Sequence, residues 1–197
     1  MDQSGEVNRV AALIEGAKRG DRASQEAIVR FYERRVYGLI VRLVGNREDA
    51  RDILQETMVK ALTSINRYDG SYSFVSWLLK IGANRSLDFL RRRKLETRIF
   101  VYEDDDRGID DIADTGTSAD DAIAGKADWA VVERCMGQLE PKYRTVLHLR
   151  YKDDLAYDEI ARVLSIPMGT VKVLLHRGRL ELKRRVLAEI GDNQGGR

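Results

Sequence analysis

Apolar side chains recur every three or four positions from Val7 to Val44, the spacing that lines one face of an α-helix. Leu13, Ile14 and Ala17 form a first stripe; Ile28, Tyr32, Val36, Leu39, Ile40 and Leu43 form a longer one. Gly20-Asp21 separates them as a turn followed by a helix-starting residue. Gly45-Asn46 ends the second helix, and Asn46 with Asp49 three positions on resembles a capping arrangement for a third. In that third helix Ala50, Ile53, Leu54, Thr57, Met58, Ala61, Leu62 and Ile65 share a face. The stretch RYDGSYS (Arg67–Ser73) predicts a loop, and a fourth helix follows from about Phe74 to Lys94.

The pattern then lapses. YEDDDRGIDDIADTGTSADD (Tyr102–Asp121) holds nine carboxylates and one basic residue, Arg107. With small residues and almost no aromatics it cannot bury a core. It reads as a flexible acidic linker, whether a solvated tether or a segment with a role of its own. Periodicity resumes in DWAVVERCMGQL, a helix. Pro141 stands at the first position of the next one, which runs to about Tyr151. Tyr157, Ile160, Ala161 and Leu164 line one side of a short helix, and Ser165-Ile166 breaks it. Pro167 suits the first turn of a further helix, where its missing N–H costs nothing. Val171, Leu174, Leu175, Gly178 and Leu182 predict the buried stripe of that helix. Thr170, Lys172, Val173, His176, Arg177, Arg179, Lys183 and Arg184 fall on its other faces. The two halves are unlike, and no repeat relates them.

Composition sharpens this in three ways. A chain of 197 residues, 43% hydrophobic with two prolines, suits one domain or two small ones, mostly helical. Its 34 basic and 32 acidic residues leave a formal charge of only +2, which conceals strong local bias. One cysteine and two histidines exclude an internal disulfide and any zinc-site spacing. Cys135, spaced with Val132 and Leu139, predicts a buried and inert thiol. No apolar run approaches the ~20 residues of a membrane span. The start of the chain lacks a signal-peptide pattern, so the protein reads as cytoplasmic.

Two segments carry chemistry. Tyr157–Arg179 is a helix-turn-helix pattern. The first helix braces the second, whose exposed N-terminal half can reach base edges in a major groove while nearby Arg and Lys neutralise phosphates. Gly169 allows close approach of backbone to an anion. His176 has no nucleophile or carboxylate placed with it, so it predicts a DNA-facing or solvated side chain. In the first half, NRSLDFLRRRK (Asn84–Lys94) ends the fourth helix in four consecutive basic residues, just after Tyr68, Tyr72, Phe74 and Trp77. Basic groups beside aromatics suit unpaired bases and their backbone. By spacing, Phe74 and Trp77 belong with Leu78 and Ile81 in the core, whereas Tyr68 and Tyr72 in the loop are freer to meet a base. The third helix shows an acidic, amide-bearing face, Asp49, Asp52, Gln55 and Glu56, that suits a protein partner.

DARDILQETMVKAL followed by YDGSYSFVSWLLKIGANRSLDFLRRRK resembles region 2 of the sigma-70 family of initiation factors. LEPKYRTVLHLRYKDDLAYDEIARVLSIPMGTVKVLLHRGRLELKRR resembles its region 4. With only these two regions the chain resembles the extracytoplasmic-function group. That resemblance implies a non-enzymatic factor without cofactor that binds core RNA polymerase and directs it to promoter DNA. It implies that Asp49, Asp52, Gln55 and Glu56 dock on the polymerase clamp. Tyr68 to Phe74 (with Tyr72), Lys80, Asn84 and Arg85 would hold melted minus-ten bases. Arg150, Thr170, Lys172, Val173, His176 and Arg177 would read the minus-thirty-five duplex, with the polymerase flap gripping the same region. An anti-sigma factor is a further implied partner. The chain departs from the family pattern at Ser165, where Gly is common, at Val173, where Ser is common, at Met58 for Phe and at Gly82 for Ala.

The expected fold is all-α: two small helical domains, 1–96 and 126–197, joined by the flexible acidic linker 97–125. Two rival readings exist. A stand-alone helix-turn-helix regulator explains Tyr157–Arg185 but not the aromatic and basic segment from Tyr68 to Lys94. A metal-dependent hydrolase would use EDDDRGIDD, but that segment has no histidine and no rigid frame to preorganise a site.

Overall fold

The computed structural model describes the backbone of residues 3–93 and 129–194, and the side chains of 9–93 and 130–191. The acidic segment expected as a linker lies outside the described residues. The chain divides into two compact units, Met1–Thr97 and Arg98–Arg197. Both are all-α, with no strand among the described residues.

The first unit contains α1 (Gln3–Lys18), α2 (Arg22–Val44), α3 (Arg47–Thr63), a 3-10 turn (Ile65–Arg67) and α4 (Phe74–Arg92). Local chemistry sets its boundaries. Gly20 takes a left-handed φ of 84°, and Asp21 then caps α2 by accepting from the Ser24 amide at 3.0 Å. Those bonds from Ser24 hold the Asp21 carboxyl below its ordinary 3.8. Gly45, also left-handed, closes α2 on the Val41 carbonyl. Asn46 Oδ1 accepts from the Glu48 and Asp49 amides at 2.8 and 3.2 Å. It thus caps α3 with its side chain alone, filling two of the donors a helix start leaves open.

The core of this unit lies between α2, α3 and α4. Val36, Leu39, Ile40, Ala50, Leu78, Leu79 and Ala83 are fully withdrawn from water. Gly82 faces Val36, Ile40 and Thr57, and a Cβ there would lie 3.3 Å from Val36 Cγ1. Two buried hydroxyls of this core bond backward along their own helices, Thr57 to the Ile53 carbonyl and Ser86 to the Gly82 carbonyl. Neither therefore bears the cost of an unpaired buried group.

The second unit contains α5 (Trp129–Gly137), α6 (Pro141–Tyr151), α7 (Tyr157–Leu164) and α8 (Met168–Gln194). Pro141 opens α6 as expected. Pro167 precedes α8 rather than lying in its first turn, and its carbonyl accepts from the Val171 amide at 3.2 Å. Ser165 supplies the break with φ 57° and ψ 44°. The left-handed turn is therefore made by a serine where glycine is the easier residue. Val171, Leu174, Leu175, Gly178 and Leu182 are all buried, as the periodicity predicts. They face α5, α6 and α7. Cys135 is buried too, and its thiol donates to Glu189 Oε2 at 3.0 Å. Burial, then the Glu189 carboxylate, push that thiol up from 9.0 to about 11.

Candidate nucleic-acid interfaces

In the first unit an aromatic cluster sits where the 3-10 turn, the loop and α4 meet. Phe74 stacks on Trp77 at 5.4 Å between ring centres, and takes the edges of Tyr32 at 5.4 Å and Tyr68 at 5.0 Å. Tyr68 also meets Trp77 at 5.6 Å. Edge-to-face pairs of this kind add to the gain from burying the rings. The loop is held closed from within. The Tyr68 hydroxyl donates to the Tyr72 carbonyl at 2.7 Å, and the Ser71 amide donates to Asp69 Oδ1 at 2.9 Å. Gly70 turns the chain at φ 79°. Bonds from Ser71 lower the Asp69 carboxyl below its ordinary value.

This geometry corrects two expectations. Phe74 is only 5% exposed, so the core reading of its spacing holds and a direct contact with a melted base is not open to it. Tyr68 is half-buried rather than loose in the loop, because two ring partners, Phe74 and Trp77, and its own hydroxyl bond fix it. Tyr72, at 44% exposed, is the ring that faces water. Lys80, Asn84 and Arg85 follow on α4, with Asn84 exposed and the other two half-buried. Lys80 and Asn84, four residues apart, share one helix face.

On α3, Asp52, Gln55 and Glu56 are exposed and Asp49 is half-buried. Two of these four carboxylate and amide side chains reach across to α4. Glu56 Oε2 accepts from Arg85 at 3.3 Å, and Asp49 Oδ2 accepts from Arg93 at 3.1 Å. The acidic and basic faces expected to serve two different partners are thus tied to each other. Sequence spacing carried no sign of this, since the partners lie 29 and 44 positions apart.

In the second unit Lys172 and Arg177 are exposed along the N-terminal half of α8, with Thr170 and His176 half-buried beside them. Val173 departs from expectation, being 5% exposed. At about 100° per residue it lies far round the helix from Val171 and Leu175. A branched apolar side chain gains from leaving water wherever it finds cover, whereas a helical wheel counts only the main packing stripe. Arg150, half-buried at the end of α6, donates to the Leu155 carbonyl at 3.2 Å. Its guanidinium lies 5.7 Å from the Tyr157 ring centre. Arg179 of α8 donates to the Tyr157 hydroxyl at 2.6 Å. Two guanidiniums from α6 and α8 therefore meet one phenol at the start of α7. The sequence placed Tyr157 on a packing face and gave no hint of this juncture.

No cluster of three or more metal-ligating side chains occurs among the described residues. The hydrolase segment EDDDRGIDD lies outside them. No described helix is long and apolar enough to cross a membrane.

Comparison with known proteins supplies the frame for these two sites. Residues 28–96 match Sigma-70 region 2, and residues 130–182 match Sigma-70, region 4. Over 176 residues the chain is 32% identical to the ECF RNA polymerase sigma factor SigW of Bacillus subtilis, covering 88% of this chain and 94% of that one. It is 32% identical over 174 residues to the RNA polymerase sigma-H factor of Pseudomonas aeruginosa, with 85% and 88% covered. The solved structure of CnrH in complex with the cytosolic domain of CnrY covers 90% of this chain and 96% of its own, with a TM-score of 0.57 at 20% identity. The sigma factor RpoE of Bartonella quintana, solved with the anti-sigma factor NepR, covers 82% and 95%, with a TM-score of 0.56 at 19% identity. At these identities the structural likeness is one of fold.

Proposed function

The chain belongs to the extracytoplasmic-function group of the sigma-70 family, and from that premise we propose how its residues divide the recognition of a promoter. It is a transcription initiation factor that binds core RNA polymerase and directs it to promoters. In the first unit the exposed side of α3, with Asp52, Gln55, Glu56 and Asp49, docks on the polymerase clamp. Tyr72, Lys80, Asn84 and Arg85 hold the melted minus-ten strand, with Tyr68 and Phe74 as the packed base beneath them. In the second unit Lys172, His176, Arg177 and Thr170 enter the minus-thirty-five major groove, and Arg150 sits at the flank. Core polymerase engages this unit through its flap. The protein works in the cytoplasm, where its polymerase and promoter are. An anti-sigma factor restrains it, as the pairing in the Bartonella structure suggests.

The observation that carries this reading is the pairing of an aromatic and cationic strand site with a separate helix-turn-helix in one chain. A repressor needs only the second. The test mixes purified chain with core polymerase and a promoter library, then sequences the transcripts. Defined start sites at one promoter class are expected. Nanomolar, sequence-selective binding of duplex by the chain alone would favour a stand-alone regulator instead.

A further inference from the structure

Helix α1 lies outside the segment that matches region 2, which begins at residue 28. It is nevertheless built firmly into the first unit. Ile14 and Ala17 are buried at 6% and 2% exposure. Gly16 lets α1 approach the start of α2 so closely that a Cβ there would collide with the Ser24 side chain. The Ser24 hydroxyl in turn donates to Asp21. The last turn of α1 is therefore fixed in place, and it lies against the 3-10 turn that leads into the aromatic loop.

That placement brings a cation to the loop. Lys18 Nζ stands 5.9 Å from the centre of the Tyr68 ring. Its stem is partly covered, with the side chain 27% exposed, and its ammonium meets Glu15 Oε1 at 3.0 Å. Glu15 is 59% exposed, and such a surface pair within one helix is weak enough for a stronger anion to compete. Arg67, the residue before Tyr68, is exposed and has no ion pair among the described residues. One side of the Tyr68 ring is thus taken by an ammonium while Phe74 and Trp77 take others. Tyr72 is the exposed ring of the loop; Lys18 borders the Tyr68 ring, and Arg67 is the exposed neighbour of Tyr68 in the chain.

We propose that Lys18 and Arg67 bind backbone phosphate of the melted promoter strand, so that the single-strand site extends from α4 across the loop onto the end of α1. The inference rests on the promoter-melting role of the first unit. Aromatic stacking beside a track of positive charge is the arrangement that holds single strands without reading their sequence. Lys18 and Arg67 supply the charge on the side of the loop away from Lys80 and Arg85 in sequence.

The test uses holoenzyme, assembled from the full chain and core polymerase, on a promoter with a premelted bubble. Affinity is measured over a range of salt. For single strands each lost phosphate contact flattens the plot of log affinity against log salt by about 0.7. Lys18→Gln, Lys18→Met and Arg67→Gln should each flatten it by about that much and weaken binding several-fold at low salt. Lys18→Arg should restore both, whereas a purely packing role for the lysine stem would be met by Lys18→Met. Arg9→Gln, an exposed cation on the same helix nine residues away, should change neither. Thermal midpoints of the variants report folding; if those at Lys18 fall, Arg67→Gln in its exposed position carries the test. Unchanged slopes in a working holoenzyme would overturn the inference alone, as would an equal effect from Arg9→Gln. Failure of the wild-type chain to form any promoter complex with core polymerase would overturn the initiation-factor reading first, and this inference with it.

Discussion

The two units solve the same problem, presenting side chains to nucleic acid, in opposite ways. In the second, labour is divided around one helix. Val171, Leu174, Leu175 and Leu182 hold α8 to its neighbours, while Lys172 and Arg177 project from it. In the first, the same residues serve both ends. Phe74 is core and also the floor under Tyr68 and Trp77. Arg85 is a candidate strand contact and also the partner of Glu56. A rigid helix can enter a groove that already exists, so it needs only an exposed face. A melted strand has no shape of its own, and the protein must supply a built surface. The difference predicts that substitutions at the first site disturb stability and function together, and that those at the second separate them.

The sharpest way to break that contrast is Phe74→Ala. Removing a buried aromatic side chain should destabilise the first unit by about 3–5 kcal/mol, and should also abolish promoter melting by the holoenzyme. Thermal unfolding and permanganate footprinting of the melted bubble read the two effects. A protein that stays fully stable but fails to melt DNA would mean that Phe74 meets the base directly, against its burial. A protein that is destabilised yet melts normally at low temperature would uncouple the two roles.

In the second unit the corresponding weak point is Cys135, remote from α8's exposed face. Its folded-state thiol is raised above 9.0 to about 11, so it favours the fold while protonated. That contribution is complete below pH 9 and is lost as pH rises through 11. At about 1.36 kcal/mol per unit the loss is about 2–3 kcal/mol. The acid side has the opposite sign. Glu189 is held below its ordinary 4.5 by bonds from Cys135 and Arg134, so its contribution is present above 4.5 and disappears as pH falls. Cys135→Ala should flatten the alkaline fall in thermal midpoint relative to wild type. Duplex binding at neutral pH should be untouched. An identical alkaline profile for the variant would show that other groups cause the fall.

How far these sites were legible follows from the same contrast. Helix starts were written locally, in Asp21, Asn46 and Pro141, and each appears where the chain places it. The α8 stripe was legible because a single period decides it. The spacing of Phe74 did place it in the core, and only the resemblance had set it against a base. The misplacements of Val173 and Tyr68 both concern exposure, which depends on what lies opposite a residue and not on its own spacing. The ion pairs Glu56–Arg85 and Asp49–Arg93 were invisible for that reason, as was the meeting of Arg150, Tyr157 and Arg179. Local pattern reports which way a residue faces along its own element. It is silent on the element that comes to meet it.

The division of labour on α8 has its own test. Arg177→Ala should relax preference at one base pair of the minus-thirty-five element, at about 1–3 kcal/mol if the guanidinium contacts guanine through two bonds. Lys183→Ala, farther from the helix start, should weaken binding about equally on all sequences and lower the salt slope. Both variants should unfold at wild-type temperature. Competition binding of holoenzyme to a randomised element measures the pattern. Uniform weakening by both would remove Arg177 from base readout.

The smallest expected effect concerns the turn that sets the two helices of the second unit at their angle. Ser165 lies at φ 57°, ψ 44°, a left-handed conformation that costs an ordinary residue about 1–2 kcal/mol. Glycine adopts it without that cost but gives up about 0.5–1 kcal/mol in unfolded-chain entropy. Ser165→Gly should therefore stabilise the second unit slightly, by at most about 1.5 kcal/mol, the largest difference between those two terms. Because the backbone geometry is unchanged, α8 should enter the groove at the same angle and promoter preference should stay as it was. Ser165→Ala makes the complementary comparison, since alanine keeps the left-handed cost and loses the hydroxyl. If both variants were equally destabilised, the serine hydroxyl rather than the backbone would be what the turn depends on. If Ser165→Gly gained stability but shifted base preference, the turn would be setting the reading angle of α8, and the exposed face of that helix would no longer be independent of its packing.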